Sequence, residues 1–386
     1  MFKHFIYLFL LTSSLVGTEF TVCSYNCGGL SDHYDYIRAV SMHGLMQERY
    51  DREPQLMDRM ERIQTTALKI LFSTNPIEKS AAEQEWAQNN YDTLSEKLLA
   101  HPDIPNSINK KWKEKSDATV TNYRVRPIVI HDSNVATLLQ DHIKDMVSGQ
   151  DISYDAKSDL NTLLQITRHV MAQRIFKNEL KYDLIALQEA DYLDASVFPE
   201  EYEVLFSEST HSVNGIAWNR SKFEVEEVIG SIAEGRGFLA VFRENSSGKT
   251  IAIASGHLTG CNPFTRVIDE KTEKNDSDKG DNELITILSH LESIEADIKL
   301  LAMDSNVTAL HPRLSLLKEA GYTVDSTHHL EPTCSNPWQI LNTRLDWIAL
   351  KSPNSSITNI PVTGVGLNSP QTNISDHKPV AACVSF

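Results

Sequence analysis

Short apolar runs of strand length, each flanked by a polar residue suited to a phosphate or a cation, recur along this chain. Asn26 ends FTVCSYN, Glu189 follows YDLIALQ, and His257 ends IAIASGH. Asp304 and Asn306 follow LLAM, Asp346 sits in TRLDWIAL, and Asp376 and His377 precede the run KPVAA. In layered sheet folds, strand ends are where a rigid scaffold presents polar groups to a ligand. One such end says little, because a buried strand often stops at an Asp or Asn that makes a turn. Six of them in series restrict the chain to a sheet-based fold with chemistry on its rim.

These residue types suit hydrolysis of a phosphate ester with a hard divalent cation. Magnesium takes oxygen ligands, usually one or two carboxylates plus substrate phosphate, and keeps several waters. Glu189 is the best-placed carboxylate, and Asn26 and Asp376 complete a metal set directly or through water. Asp304 and Asn306 are two residues apart, so strand alternation puts both on one face, aimed at one phosphate. The competing reading of D-x-N is an Asx-turn closing a strand. A carboxylate on one ring nitrogen of His377 fixes its tautomer and stabilises its charged form, leaving the other nitrogen for substrate.

The same residues in the same order resemble the endonuclease/exonuclease/phosphatase superfamily, over residues 19 to 30 and roughly 155 to 386. That group includes pancreatic deoxyribonuclease, inositol polyphosphate 5-phosphatases and neutral sphingomyelinases. The resemblance implies a four-layer α/β/β/α sandwich of two packed mixed β-sheets, where periodicity alone gives only an α/β class. It also implies Glu189 as the principal metal ligand, Mg2+ or Mn2+ as the cation, and Asn26 and Asn306 on the phosphate. By the same resemblance Asp304 orients or deprotonates the attacking water, Asp346 partners His377, and His257 is a second histidine on phosphate or leaving group. Two departures stand out: Met303 replaces the usual Gly before Asp304, and about 125 residues separate the first strand from the helix leading to Glu189. The 5-phosphatase signature P-x-W-C-D-R-I-L has no match in Pro332-Thr333-Cys334 or in Asn342 to Trp347.

The opening MFKHFIYLFLLTSSLVG has one early cation, a short apolar run and small residues, the build of a secretory signal peptide over residues 1–18. The expected location is therefore secreted or periplasmic, with no membrane span in the mature chain. The first strand falls in 19–34, a mostly helical insertion in 35–154, and the rest of the catalytic domain in 155–386. A formal net charge of −16 argues against non-specific coating of nucleic acid, although a local cationic strip such as Lys110 to Lys115 is another reading. Five cysteines cannot all pair within one chain. A Cys261–Cys334 bridge is open, and Cys23 and Cys383 read as small buried strand residues.

Apolar spacing predicts a helix over 55–72, and Ser80-Ala81-Ala82-Glu83 reads as a capping box opening a second helix to about residue 99. Another is predicted over 134–147 and a long one over 159–180, whereas the polar stretch 269–282 reads as a loop before a helix from Glu283. The expected partner is a phosphate-ester substrate, either nucleic acid or a phospholipid or inositol phosphate head group. The insertion is either a lid or arm for a partner protein, or a bundle covering apolar surface. The alternative from another class is a non-catalytic secreted binding module that grips a partner through that insertion.

Overall fold

The computed structural model describes residues 18–28, 54–91, 120–121, 129–130, 168–209, 212–260, 271–334, 343–366 and 373–386. The leader, the Lys110 to Lys115 run, the helix expected at 134–147 and Cys261 lie outside the described residues.

Two mixed sheets carry the fold. The first has the order β12-β13-β1-β4-β6-β5, built from Glu19–Asn26 (β1), Leu184–Gln188 (β4), Tyr202–Phe206 (β5), Gly215–Asn219 (β6), Ser356–Ile360 (β12) and Val380–Ser385 (β13). The second runs β11-β10-β9-β8-β7, from Phe223–Ile232 (β7), Gly237–Glu244 (β8), Thr250–His257 (β9), Ile298–Asp304 (β10) and Asp346–Lys351 (β11). Val120–Thr121 (β2) and Val129–Ile130 (β3) pair as a separate small ribbon. Each sheet holds one parallel pair, β1 with β4 and β9 with β10, and is otherwise antiparallel.

Strand alternation sorts the side chains into three cores. Phe20 and Val22 of β1 join Leu184, Ala186, Ile251, Ile253, Leu300 and Ile348 between the sheets. Cys23 and Tyr25, one residue out of phase, face the other way and pack with Met171, Ile175 and Phe176 of the helix 168–179. On the outer face of the second sheet, Leu301, Met303 and Trp347 meet Leu284, Ile287 and Leu291 of the helix Lys271–Ser293. Strands buried on both faces read as continuous apolar runs, which is why LIALQ and IAIAS show no polar alternation. The layers are helix, sheet, sheet, helix, as the resemblance implies.

The helix expected over 55–72 is found at Pro54–Phe72, and its Ala67, Leu68 and Phe72 pack into the outer core of the second sheet. The next helix differs from expectation: it spans Pro76–Asn89, so Ser80 lies inside it. Asn75 caps it by accepting from the N–H groups of Ile77 and Glu78, and Pro76 takes the first turn, where a missing N–H costs nothing. Asn90, in the left-handed region at φ 52°, stops it.

The expected loop over 269–282 is also corrected, since helix begins at Lys271. Its polar first half lacks an apolar stripe because its buried contacts are ionic. Asp281 pairs with the fully buried Arg313 at 2.9 Å, and Glu283 accepts from the N–H and hydroxyl of Thr259 at 2.6 and 2.7 Å. Gly280 is required there, because a Cβ would run into the Arg313 guanidinium and the Thr259 carbonyl. No helix among the described residues is long and apolar enough to cross a membrane.

Candidate active site

The site is the polar continuation of the core between the sheets. In β1, Phe20, Val22, Ser24 and Asn26 share one face, and in β4 so do Leu184, Ala186 and Gln188. The facing strands repeat the pattern with Ile251, Ile253, Ser255 and His257, with Leu300, Ala302 and Asp304, and with Leu350, Ile348 and Asp346. A buried layer of Ser24, Gln188 and Ser255 marks the change from apolar to polar. Gln188 Nε2 donates to Ser255 Oγ at 3.0 Å, and that hydroxyl donates to the Leu187 carbonyl at 2.6 Å.

Register then fixes a row. Asp304 sits opposite His257 in the β9–β10 ladder and opposite Asp346 in the β10–β11 ladder. From the other sheet, Asn26 Nδ2 donates to Asp304 Oδ2 at 2.9 Å and lies 3.5 Å from Glu189 Oε1. The same Asp304 oxygen is 3.6 Å from His257 Nε2 and 3.8 Å from His377 Nε2. His377 Nδ1 meets Asp346 Oδ2 at 2.8 Å, and His257 Nε2 meets Glu189 Oε1 at 3.0 Å. Six of the eight residues singled out from sequence thus form one connected constellation around a single carboxylate oxygen.

The remaining two lie beside it. Asn306 is placed by a turn and not by the strand alternation expected, because β10 ends at Asp304. Its φ of 53° is tolerated by Asn. Its backbone N–H donates to Asp304 Oδ1 at 2.8 Å and its amide donates to the Leu258 carbonyl at 2.9 Å. Asp376 adjoins His377, and its carboxyl lies within 4.8 Å of the Cys334 thiol and a His377 ring nitrogen. Glu189 follows β4 at φ 51°, a turn that carries it off the strand's alternation. Asn26 uses its oxygen to accept the Gly28 N–H at 2.9 Å, so its amide orders Asp304.

Burial and charge oppose one another here. Burial pushes the Asp304 carboxyl up, against the pull of His377, with Asp346 adding to the rise. Asp376 is also raised, first by burial and then by Glu189 and Asp304, against His377. Burial alone would lower both histidines. For His377 the Asp346 carboxylate outweighs it and holds the ring well above the usual histidine range, and for His257 Glu189 raises it more modestly. Four carboxylates crowded around two rings make an oxygen-rich, anionic donor set that fits a hard divalent cation. Glu189 and Asp376 would hold it; Asp346 Oδ1, buried with no hydrogen-bond partner, adds to the unbalanced negative charge.

Several supporting residues carry no signal in the sequence. Ser212 Oγ lies 2.9 Å from His257 Nδ1, and Thr333 Oγ1 donates to Asp346 Oδ2 at 2.6 Å while accepting the N–H groups of Leu345 and Asp346. Two fully buried arginines tie the loops together. Arg168 donates to the carbonyls of Cys27, Gly28 and Ile374 and stacks 4.1 Å over Tyr192. Arg313 donates to the carbonyls of Ser305, Thr259 and Ser277. Gly28 has φ 60°, and a Cβ there would sit 3.2 Å from both Arg168 Nη2 and Ser375 Oγ.

Two mixed sheets with helices outside them give the layered α/β sandwich expected. Solved structures similar to this chain include the human Nocturnin catalytic domain with bound sulfate, at 13% identity and TM-score 0.39, over 53% of this chain and 82% of that one. A humanized D. rerio TDP2 is similar at 16% identity and TM-score 0.42, over 66% and 94%. The Bacteroides thetaiotaomicron mannosyl-6-phosphatase Bt3783 is similar at 14% identity and TM-score 0.40, over 56% and 90%. At such distances they carry no argument about what this chain acts on. No family model and no curated protein matches the chain.

Cys334 is a buried free thiol, as are Cys23 and Cys27, whereas Cys383 is only half-buried, less than its strand position suggests.

Proposed function

We propose that this protein is an exported, divalent-metal-dependent phosphoesterase that cleaves a phosphodiester or phosphomonoester by in-line attack of water. One observation carries the reading. Asp304 Oδ2, on a strand of one sheet, is approached by Asn26 from the other sheet and by both His257 and His377. Bringing an amide, two imidazoles and the carboxylates Glu189 and Asp346 around one oxygen buries like charges together. Such crowding costs stability and is typical of sites built for chemistry.

In this reading Glu189 and Asp376 would hold Mg2+ or Mn2+, which would supply Lewis-acid stabilisation of the phosphoryl oxygens. The chain's own groups do the rest. Asp304, as the carboxylate, orients the water and accepts its proton. His377 is held charged by Asp346, so its Nε2–H donates to a phosphoryl oxygen and does not act as the base. His257 donates from Nε2 to phosphate or leaving group, and Asn26 and Asn306 position the phosphate. The proposal of export, secreted or periplasmic, rests on the leader-like opening of the sequence. The substrate is a nucleic acid or a phospholipid or inositol phosphate head group, and the insertion is the surface we assign to a partner protein.

The test is one panel run with Mg2+ and with EDTA: bis-p-nitrophenyl phosphate, plasmid DNA, sphingomyelin and phosphoinositides. Turnover of at least one substrate, abolished by EDTA, is expected. Inactivity on all four by folded, metal-bound protein would overturn the enzymatic reading in favour of a binding module.

A further inference from the structure

Magnesium chemistry needs only oxygen donors, yet a thiol sits among the buried groups of this site. Cys334 is 1% exposed, and its Sγ, a carboxylate oxygen of Asp376 and a ring nitrogen of His377 lie within 4.8 Å of one another. Its backbone is held from two sides. The Cys334 N–H donates to the Thr343 carbonyl at 2.8 Å, its carbonyl accepts from Thr343 at 3.1 Å, and it forms a second bridge with His377. The residue after His377 adds a further tie, since the Lys378 N–H donates to the Thr333 carbonyl at 2.6 Å. The thiol is therefore fixed against the histidine by backbone pairing.

We propose that Cys334, Asp376 and His377 form a capture site for a soft divalent cation, Zn2+ foremost, whose binding switches the phosphoesterase site off. The proposal rests on the preceding reading of the site only for its inhibitory consequence. Thiolate and imidazole select Zn2+ over Mg2+, and three protein ligands with one open position suit its tetrahedral geometry. Zn–S of ~2.3 Å and Zn–N of ~2.0 Å need donor atoms roughly 3–4 Å apart, a small contraction of the present cluster. The second shell is also in place. Asp346 occupies Nδ1 of His377 at 2.8 Å and Thr333 holds that carboxylate, the carboxylate–histidine arrangement that orients a ring for metal. Nε2 is then the nitrogen left to ligate. On binding, Sγ and His377 Nε2 each give a proton to solvent as the Zn–S and Zn–N bonds form. The ion takes His377 Nε2 and the Asp376 carboxylate from their roles on substrate and hard cation.

The experiment titrates the full chain, with Mg2+ present, first with Co2+ and then with Zn2+. Wild type is expected to show a thiolate-to-cobalt charge-transfer absorption that Cys334→Ser lacks. Zinc affinity, measured by competition with a chromogenic chelator, is expected to fall by at least ~100-fold in Cys334→Ser. That loss exceeds the ~10–100-fold typical of losing an outer-shell partner, expected for Asp346→Asn. Zinc inhibition, scored against each protein's own Mg2+-supported rate, should weaken in parallel. A persisting absorption band, or unchanged zinc affinity, in Cys334→Ser overturns the site. Should the serine variant fail to fold, wild-type protein decides: Zn2+ must protect Cys334 from alkylation as mapped by mass spectrometry, and lack of protection overturns the proposal. The absorption and protection readouts stand even if no phosphate ester is turned over, which separates failure of this site from failure of the enzymatic reading.

Discussion

The two histidines of the site are held in opposite ways. His377 has its carboxylate behind it: Asp346 grips Nδ1 at 2.8 Å and is itself anchored by Thr333, all in buried surroundings. His257 has a neutral hydroxyl behind it, Ser212 at 2.9 Å, and carboxylates in front, Glu189 at 3.0 Å and Asp304 at 3.6 Å. Both rings are raised in pKa, but from different sides. The charge of His377 is built into the scaffold. That of His257 depends on Glu189, which a cation would claim, so one ring is a fixed electrostatic group and the other responds to metal.

The sharpest attempt to break this contrast is His377→Ala. It is expected to lower turnover by ~10²–10⁴-fold with the fold intact by circular dichroism. Near-normal turnover in folded protein would remove the fixed-charge role altogether.

Cation binding tests the responsive ring. At a hundredfold excess over its dissociation constant, Mg2+ is expected to stabilise the fold by about 2.7 kcal/mol, seen as a rise in Tm. The His257 titration, followed by NMR, should move down as Glu189 engages the ion, while His377 moves less. Equal movement of the two rings would refute the distinction.

The pH dependence has a definite sign. Both histidines are raised on folding, so their stabilisation is complete below the ordinary value near ~6.5 and is lost as pH rises through their folded values. The raised carboxyls of Asp304 and Asp376 likewise favour the acid side, losing stability as pH rises above the usual carboxylate range. Cation-free protein should therefore melt lower at alkaline than at mildly acidic pH. The Mg2+-induced rise in Tm should be larger on the alkaline side, where protons no longer compete for the carboxylates. A rise that is larger at acid pH would contradict the assignment.

Smaller effects separate the two supports. Thr333→Val removes a hydrogen bond to a charged group, about 1.5–3 kcal/mol, and should cost ~10–100-fold in kcat. Ser212→Ala removes a hydroxyl contact to His257, about 0.5–1.5 kcal/mol, for a loss of only ~2–10-fold. If the serine variant were the more damaging of the two, the ranking of the histidines would be reversed.

Much of the site was legible because its signals are local. Asn26, Asp304 and Asp346 show themselves as polar residues at the margins of apolar runs. Only the start of the mid-chain helix reads as loop, because there Ser277, Asp281 and Glu283 are buried against Arg313 and Thr259, partners distant in sequence. Ser212, Thr333 and Arg168 were invisible for the same reason. A serine, threonine or arginine looks alike in a loop whether it meets water or a catalytic group.

The order of amino acids by itself determined which residues could carry phosphate chemistry and that they would stand at strand ends, since alternation and turn preference act over a few neighbours. Only the folded molecule decided which of those ends meet, which way each histidine is polarised, and that a thiol shares their pocket. Those outcomes depend on ladder register and on contacts spanning hundreds of residues, such as that between Asn26 and Asp304, whose energy no local segment contains.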